Sequence, residues 1–258
     1  MSARHPATTS APAVQFGSPS QFFDLSDPGV ADLFGECEYV WDSLKRLKQI
    51  VRTMVGNTTV VRGTVMEGAY VAPSQVYIDE DACVEPGAFV NGPCYIGPGA
   101  EVRHGAYIRG SVILLRESIV GHATEAKNSI LLPNAKAPHF AYLGDSILGS
   151  RVNLGAGTKL SNLMITSAKD RVSGQRPSII IPSGGEKYDT GLAKLGAILG
   201  DDCQTGCNSV LNPGSILEPG CLVYPNASVS RGHYAAGTII KLRQNIEYDT
   251  RRDGRGAG

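Results

Sequence analysis

The sequence predicts an all-β protein whose chain is wound as a triangular prism, and three observations support this fold class. An apolar residue recurs at every sixth position: Val60, Met66, Ala72, Ile78, Val84, Val90, Ile96, Val102, Ile108, Leu114 and Val120. A small residue follows most of them by four positions: Val76, Ala82, Ala88, Cys94, Ala100, Ala106, Val112, Ser118 and Thr124. Gly, Pro, Asn and Asp fill the positions between, where corners need backbone angles that bulky residues disfavour. A period of six fits neither a lone helix nor a lone strand and therefore indicates a repeat.

Three hexapeptides form one coil of about 18 residues, so residues that far apart in the sequence should stack on each other. This pattern resembles the left-handed parallel β-helix of the hexapeptide acyltransferase superfamily. The alternative is a β-sandwich with short alternating strands, but a sandwich predicts irregular spacing of its turns. The strict period favours the β-helix.

Composition excludes several functional classes. The 258-residue chain has 24 Lys plus Arg and 24 Asp plus Glu, and this zero net charge does not suggest a nucleic-acid partner. No apolar run approaches the roughly 20 residues of a membrane helix, and the first residues lack the apolar core of a signal peptide. Three of the six cysteines, Cys94, Cys203 and Cys221, fall on the small-residue position. We therefore expect a reduced, cytoplasmic protein without a membrane partner.

The chain before the repeat divides into two parts. Residues 1–17 are rich in Ser, Ala, Thr and Pro and are expected to be disordered. Residues 18–55 are expected to form two short helices, because Ser26 or Asp27 before Pro28 is a helix-start signal and the later residues carry an apolar stripe. We expect this stripe to cover the open first coil of the prism or to contact a neighbouring subunit. A ligand-binding role for Trp41 is the less favoured alternative.

The prism is expected to occupy residues 56–240 with two interruptions. The register breaks at residues 133–143 and resumes one residue out of phase, and such a local exception is a natural place to search for function. A longer insertion at about 163–197 is expected to act as a lid or a binding loop, because long excursions without repeat structure are uncommon. Residues 241–258 form a polar tail that is expected to be frayed.

Three histidines, His104, His122 and His139, follow one another at intervals of about one coil and should lie along one edge of the prism. This invites comparison with the trimeric γ-class carbonic anhydrases, which share the fold and bind zinc through three histidines. However, no histidine pair here has the five-residue spacing of that family. Zinc ligands lie about 2 Å from the ion, whereas neighbouring strands are about 5 Å apart. We therefore predict no metal site.

Three segments, "VGHATEAKNS", "APHFAYLGDS" and "VNLGAGTKLSN", carry a more specific resemblance. They are similar to the acetyltransferase domain of the bifunctional N-acetylglucosamine-1-phosphate uridyltransferase / glucosamine-1-phosphate N-acetyltransferase family. The resemblance covers roughly residues 60–240, with its motifs between Arg109 and Asn162. It implies an acetyl-CoA-dependent N-acetyltransferase that acts on an amino-sugar 1-phosphate such as glucosamine-1-phosphate.

The resemblance assigns roles to individual residues. His139 matches the general base that removes the amine proton, a task suited to imidazole because its unperturbed pKa lies near neutrality. Glu125 matches a family carboxylate that orients this histidine or the amine. The residues expected to bind the sugar phosphate are Arg109, Lys127, Tyr142, Asn153 and Asn162. Because Arg109 and Lys127 should stack without an acid between them, a bound phosphate would relieve their repulsion.

The family binds coenzyme A with coils that follow the active site, between two chains of a homotrimer. This implies cofactor contacts near Gly206, Cys207 and Pro225, with Cys207 in place of a small hydroxyl residue. Two other departures stand out: Leu163 replaces an aromatic sugar contact, and a following lysine has no counterpart unless Lys169, Arg171, Arg176 or Lys187 supplies it. The family's preceding nucleotidyltransferase domain has no counterpart in these 258 residues.

Three functional hypotheses therefore remain. The leading one is the acetyl-CoA-dependent N-acetyltransferase. The second is a non-catalytic trimeric scaffold or sugar-phosphate-binding module that lost its activity together with the aromatic at Leu163. The third is a zinc-dependent hydratase similar to the γ-class carbonic anhydrases.

Overall fold

The computed structural model describes residues 16–249. The expected disorder of residues 1–15 and fraying of residues 250–258 lie outside the described residues. Residues 241–249 have no regular secondary structure and are exposed. None of the helices in the part of the chain that the structure describes is long and apolar enough to span a membrane.

A 3₁₀ turn at Pro19–Gln21 is followed by α1 (Pro28–Phe34) and α2 (Asp42–Val55). The strands before the insertion are β1 (Val60–Val61), β2 (Thr64–Val65), β3 (Tyr70–Val71), β4 (Val76–Ile78), β5 (Cys83–Val84), β6 (Phe89–Val90), β7 (Cys94–Ile96), β8 (Glu101–Val102), β9 (Tyr107–Ile108), β10 (Val112–Leu114), β11 (Ile119–His122), β12 (Glu125–Lys127), β13 (Ser129–Leu131), β14 (Lys136–His139), β15 (Tyr142–Gly144), β16 (Ile147–Leu148), β17 (Asn153–Leu154) and β18 (Lys159–Leu160). The remaining strands are β19 (Ile180–Ser183), β20 (Glu186–Asp189), β21 (Ala197–Leu199), β22 (Gln204–Thr205), β23 (Val210–Leu211), β24 (Ser215–Leu217), β25 (Leu222–Val223), β26 (Ser228–Val229), β27 (Gly232–Tyr234) and β28 (Ile239–Ile240).

Every third strand up to β18 belongs to the same parallel sheet, which confirms the predicted β-helix. Sheet A has the order β1-β4-β7-β10-β13-β16-β21-β24-β27, sheet B the order β2-β5-β8-β11-β14-β17-β22-β25-β28, and sheet C the order β3-β6-β9-β12-β15-β18-β23-β26. The inward residues of the three sheets meet in one core, in which Ile78, Val84 and Val90 are fully buried. The six-residue period thus arises because each side of the prism contributes one inward apolar side chain.

The first coil departs from the predicted register. Val61 pairs with Ile78, whereas Val65 pairs with Val84, so the step from this coil to the next is shorter along sheet A than along sheet B. The residues that we predicted to face inward at Val60 and Met66 are therefore largely exposed, at 37% and 42%. The prediction failed here because the corners of this coil contain unequal numbers of residues.

The register break that was predicted at residues 133–143 does not interrupt the sheets. Strands β14 and β15 remain in their sheets, with Ala137 paired to Val120 and Leu143 paired to Ala126. In both pairs the partner lies one residue nearer in the sequence than in the preceding coil, where Val120 pairs with Val102. A shorter corner shifts the sequence register without interrupting the sheets.

The N-terminal helices lie against the outer face of sheet A, not over the first coil. The middle residues of successive sheet A strands form an outward apolar column, in which Ile113 pairs with Ile130 and Ile130 pairs with Ile147. Together with Ile198 and Ile216, these residues are fully buried in a second core with the helices, including Trp41, Leu44, Leu47 and Val51. The expectation of a cap on the first coil is therefore wrong, because the apolar column on which the helices pack lies on this side of the prism.

The insertion contains an antiparallel hairpin of β19 and β20 that folds back onto the same second core. Ile179 and Ile181 are fully buried there. Successive side-chain hydrogen bonds also connect the hairpin to the last coils. Ser183 Oγ lies 2.8 Å from His233 Nδ1, and His233 Nε2 lies 2.7 Å from Glu218 Oε1. This half of the insertion is thus packed, whereas the segment before it is more exposed.

Candidate acyltransfer site

Four of the predicted site residues lie on the outer face of sheet C. Glu125 and Tyr142 are paired on adjacent strands, at the start of β12 and β15. Arg109 and Lys127 lie two residues further along their coils, and the Arg109 amide donates to the carbonyl of Ala126. The parallel strands therefore place a carboxylate and a phenol at one end of this face and two cations at the other.

Each of these cations has its own carboxylate partner. Arg109 Nη1 lies 2.7 Å from Glu125 Oε1, and Lys127 Nζ lies 3.5 Å from Asp145 Oδ2. The expectation that the two cations stack without an acid between them is therefore wrong. The predicted repulsion, which was to be relieved by phosphate, is already compensated by Glu125 and Asp145.

Asp145 is the centre of a polar cluster at the corner between sheets C and A. Its side chain is only 9% exposed, and Oδ1 accepts a 2.9 Å hydrogen bond from Asn128 Nδ2. Oδ2 accepts a further hydrogen bond from Asn162 Nδ2. A buried carboxylate is costly unless it is paired and hydrogen-bonded, and these contacts, together with Lys127, meet that requirement. Asp145 in turn holds Asn162 in place.

Tyr142 contacts the other side of Asn162, since its hydroxyl lies 3.5 Å from Asn162 Oδ1. Burial raises the pKa of Tyr142, and the negative charges of Glu125 and Asp145 act in the same direction. The phenol therefore remains a neutral donor near pH 7. A Cβ at Gly144 would lie 2.7 Å from both Tyr142 Oη and Asn162 Nδ2, so only glycine leaves room for this contact.

His139 lies at the corner between sheets B and C, at the end of β14. Its register partner on the preceding coil is His122, and His104 precedes both in the same column. The rings of His104 and His122 are parallel, with centroids 5.4 Å apart, and the Nδ1 atoms of both lie within 2.9 Å of a backbone carbonyl oxygen. By contrast, no residue between 16 and 249 hydrogen-bonds to the ring of His139. Its two nitrogens are available to a ligand.

Within residues 16–249, no group of three or more His, Cys, Asp or Glu side chains is arranged so that it could hold a metal ion. The histidine column is a stack and does not converge on one point.

The remaining predicted residues lie away from the sheet C cluster. Asn153 is on the outer face of sheet B, where it pairs with Lys136 and Gln204. Gly206, Cys207 and Pro225 follow His139 along the corner between sheets B and C, and a Cβ at Gly206 would lie 2.4 Å from Pro225 N. Because the sides of a prism face different directions, one chain does not bring Asn153 and Tyr142 to the same small ligand.

The exposed part of the insertion forms a cavity of about 710 Å³ that begins at Leu163, directly after Asn162. Both ends of the insertion meet the polar cluster, since Leu195 N donates to Asn162 O and Gly196 N donates to Asp145 O. Three cations line the cavity: Lys169, Arg176 and Lys194. Four residues of the insertion could supply the lysine that the resembling family has after Asn162. Of these four, Lys169 and Arg176 line the cavity and therefore lie beside the site.

Sequence reasoning missed Asp145, Asn128 and Gly144. Asp145 stands within the "LGDS" motif, and its position about one coil after Lys127 predicts that the two are neighbours. The signal for Gly144 was weaker, because its role depends on the direction of the Tyr142 side chain.

Fold and site together define a parallel β-helix protein with a polar, cation-bearing face beside an exposed histidine. The model of the family described as the GMPPB C-terminal domain matches residues 90–239, more than half of the chain. The chain therefore belongs to this family.

Curated relatives confirm the resemblance drawn from the motifs. The "Bifunctional sugar-1-phosphate nucleotidylyltransferase/acetyltransferase" of Sulfurisphaera tokodaii is 34% identical over 157 residues, which are 61% of this chain and 37% of the relative. The "Bifunctional protein GlmU" of Methanococcus vannielii is 32% identical over 215 residues, which are 80% of this chain and 48% of the relative. The chain thus spans less than half the length of these two relatives. A hexapeptide transferase family protein from Anaplasma phagocytophilum is 15% identical, with a TM-score of 0.28 over 62% of this chain and 71% of the other.

Proposed function

We propose that this chain is an acetyl-CoA-dependent N-acetyltransferase that acts on an amino-sugar 1-phosphate such as glucosamine-1-phosphate. One observation carries the proposal. His139, the pair of Glu125 and Tyr142, and the cations Arg109 and Lys127 follow one another across sheet C. This order matches an acceptor with its amine at one end and its phosphate at the other. The name of the Sulfurisphaera tokodaii relative, which combines a sugar 1-phosphate with acetyl transfer, supports the same function.

His139 acts as general base in this proposal. The acceptor nitrogen attacks the thioester carbonyl carbon, and its proton passes to the His139 imidazole. The tetrahedral intermediate then collapses with cleavage of the carbon–sulfur bond, and the coenzyme A thiolate takes up the proton. The products are an N-acetylated sugar phosphate and coenzyme A. The free ring nitrogens of His139 support this role, since they are not committed to another residue between 16 and 249.

Arg109 and Lys127 bind the phosphate in this proposal. Arginine carries five N–H donors, and the contact with Glu125 Oε1 is made by Nη1 alone, which leaves donors for the ligand. Glu125 thereby orients Arg109, and its second oxygen faces the sugar beside Tyr142. Asn162, held by Asp145, provides a further sugar contact.

The complete site lies between two chains of a homotrimer in this proposal. Asn153 is on sheet B and Tyr142 is on sheet C, so a small ligand contacts both only if the two residues come from different chains. The cofactor is assigned to the corner that carries Gly206, Cys207 and Pro225. There Gly155 and Gly206 let successive coils approach closely, because a Cβ on either would lie 2.6 Å or less from the backbone of the next coil.

The test is thiol release from acetyl-CoA by the purified full chain with a panel of hexosamine 1-phosphates. Mass spectrometry should show one acetyl group on the sugar nitrogen. The proposal predicts turnover with at least one member of the panel and none with the corresponding N-acetylated sugars. Absence of acetylation across the whole panel would reject it.

Two departures from the resembling family favour a second candidate, a non-catalytic sugar-phosphate-binding module. Leu163 stands where the resembling family has an aromatic sugar contact, and Cys207 replaces a hydroxyl residue in the cofactor region. Calorimetry distinguishes the two functions. A binding module retains affinity for the sugar phosphate but shows no heat with acetyl-CoA, whereas the acetyltransferase binds both.

A further inference from the structure

The cavity in the insertion has a charge that the acetyltransferase mechanism does not use. Lys169, Arg176 and Lys194 line it, and no acidic side chain does. Within residues 16–249, none of these three cations forms an ion pair. The nearest acid in sequence is Asp170, whose Oδ1 accepts hydrogen bonds from Val172 N, Ser173 N and Ser173 Oγ.

Unpaired cations that converge on a cavity indicate an anionic ligand, because an oxyanion offsets their mutual repulsion and accepts charge-assisted hydrogen bonds. The volume of about 710 Å³ also lies within the range of small-molecule sites, roughly 300–1,000 Å³. A phosphate group matches the charge of the cationic lining, and a small molecule that carries phosphate matches the volume. The cavity thus has the charge and the size for a phosphorylated small molecule.

The position of the cavity indicates which kind of phosphorylated molecule would bind there. Across sheet C, one coil runs from His139 past Tyr142 to Asp145. Lys127 and Asn162 flank this path on the preceding and following coils, and the cavity begins at Leu163. A strand advances about 3.3 Å per residue, so the path from Tyr142 to Asp145 covers about 10 Å. A sugar with one phosphate occupies this span. A ligand that also fills the cavity must extend beyond its first phosphate.

We propose that the acceptor is a nucleoside diphosphate-linked amino sugar, whose second phosphate and nucleoside occupy the cavity formed by the insertion. Arg109 and Lys127 hold the phosphate next to the sugar, and Lys169, Arg176 and Lys194 hold the distal phosphate. This inference rests on the proposed function, because it extends the acceptor of that reaction.

Coenzyme A also contains a diphosphate, but the geometry favours the acceptor. The cavity adjoins the corner between sheets C and A, whereas Cys207 and Pro225 lie along the corner between sheets B and C. Within one chain, these corners are on opposite edges of sheet C. A ligand that enters at the cavity therefore reaches Asn162 and Lys127 first.

The test is calorimetric titration of the full chain with uridine diphosphate, guanosine diphosphate, inorganic pyrophosphate, glucosamine-1-phosphate and coenzyme A. The test variant is Lys169→Gln with Lys194→Gln, since Arg176 also bonds to the carbonyl of Ser167 and is left intact. The matched control is Lys187→Gln, because this lysine is exposed on the same insertion but does not line the cavity. Thermal unfolding verifies that all proteins are folded.

We expect at least one nucleoside diphosphate to bind, with affinity about tenfold or more lower in the double variant and unchanged in the control. Affinity for glucosamine-1-phosphate should stay the same. Equal nucleotide affinity in the double variant and the wild type overturns the inference, as does absence of nucleotide binding. Competition between coenzyme A and the nucleotide, with both weakened in the variant, assigns the cavity to coenzyme A and overturns it as well.

The outcomes separate this inference from the proposed function. If neither a hexosamine 1-phosphate nor a nucleoside diphosphate-linked hexosamine is acetylated but nucleotide binding still depends on Lys169 and Lys194, the cavity assignment stands and the acetyltransferase proposal fails. If glucosamine-1-phosphate is acetylated and no nucleoside diphosphate binds, the acetyltransferase proposal stands and the extended acceptor is rejected.

Discussion

Arg109 and Glu125 form an ion pair between neighbouring coils of the β-helix, with 2.7 Å between Nη1 and Oε1. The pair fixes the direction of the guanidinium on an otherwise open face. Lys127 has the same relationship to Asp145 one coil further on, at 3.5 Å. The two phosphate-binding candidates are therefore held by acids and not merely exposed.

Removal of either cation should weaken acceptor binding specifically. We predict that Arg109→Gln and Lys127→Gln each raise the KM for the sugar phosphate about tenfold, because each removes a charge-assisted hydrogen bond. The KM for acetyl-CoA should not change. Steady-state kinetics with each substrate varied in turn measures both values. Arg103→Gln is the matched control, since Arg103 pairs with Glu101 away from the site; an equal effect in this variant would contradict the assignment.

The proposed site between chains predicts complementation. Neither Asn153→Ala nor Tyr142→Phe should be fully active as a homotrimer, because every site then lacks one contact. Mixed trimers should regain sites in which the wild-type Asn153 of one chain faces the wild-type Tyr142 of another. The measurement is activity after the two variants are unfolded together and refolded. Activity no higher than the average of the two parents would place the whole site within one chain.

The outward isoleucine column should determine stability. Ile130 is fully buried between sheet A and the helices, so Ile130→Ala should lower the free energy of unfolding by about 2–5 kcal/mol. Val172→Ala, at a side chain that is 97% exposed, should change it by less than about 0.5 kcal/mol. Urea unfolding measures both.

Deletion of residues 18–55 should yield insoluble protein, because it would expose the isoleucine column that the helices cover. A soluble, monodisperse truncation would contradict the role of the helices.

Asp201 should make stability depend on pH. Its carboxylate accepts backbone hydrogen bonds from Ser150 and Asp24, and burial raises its pKa above the usual value. The folded state therefore holds the Asp201 proton to higher pH than the unfolded state does. As pH rises from about 4 through the raised pKa, the wild type should lose stability relative to Asp201→Asn. Chemical unfolding of both proteins from about pH 4 to 7 measures the difference, and a constant difference would contradict the prediction.

Much of the fold could be predicted from the sequence, because each inward position of a β-helix repeats the same steric requirement. The apolar residues at every sixth position from Ile78 to Val120 are all fully buried, as predicted. The apolar column of Ile113, Ile130 and Ile147 was equally visible as isoleucines about one coil apart, and it marks the surface on which the helices pack. It was missed because the inward repeat dominated the pattern. Corners of unequal length were not predictable, since one residue more or less leaves both neighbouring strands intact.

The candidate site was predicted in part. The register placed Arg109 beside Lys127, and the structure agrees. The pairing of these cations with Glu125 and Asp145 depends on side-chain directions that spacing alone does not define. The cavity of the insertion could not be predicted, because residues 163–196 belong to no repeat and their shape follows from the hairpin and the helices against which they pack.

The most direct test of the account compares two histidines in one column. His122 and His139 are register partners on adjacent strands, but Nδ1 of His122 lies 2.9 Å from the His104 carbonyl oxygen, whereas the ring of His139 makes no hydrogen bond within residues 16–249. We predict that His139→Ala lowers kcat for acetyl transfer about 100-fold to 10,000-fold while His122→Ala leaves it within about threefold. Thiol release from acetyl-CoA at saturating acceptor measures both. Equal rates for the two variants, or a larger loss in His122→Ala, would contradict the assignment of His139 as the general base.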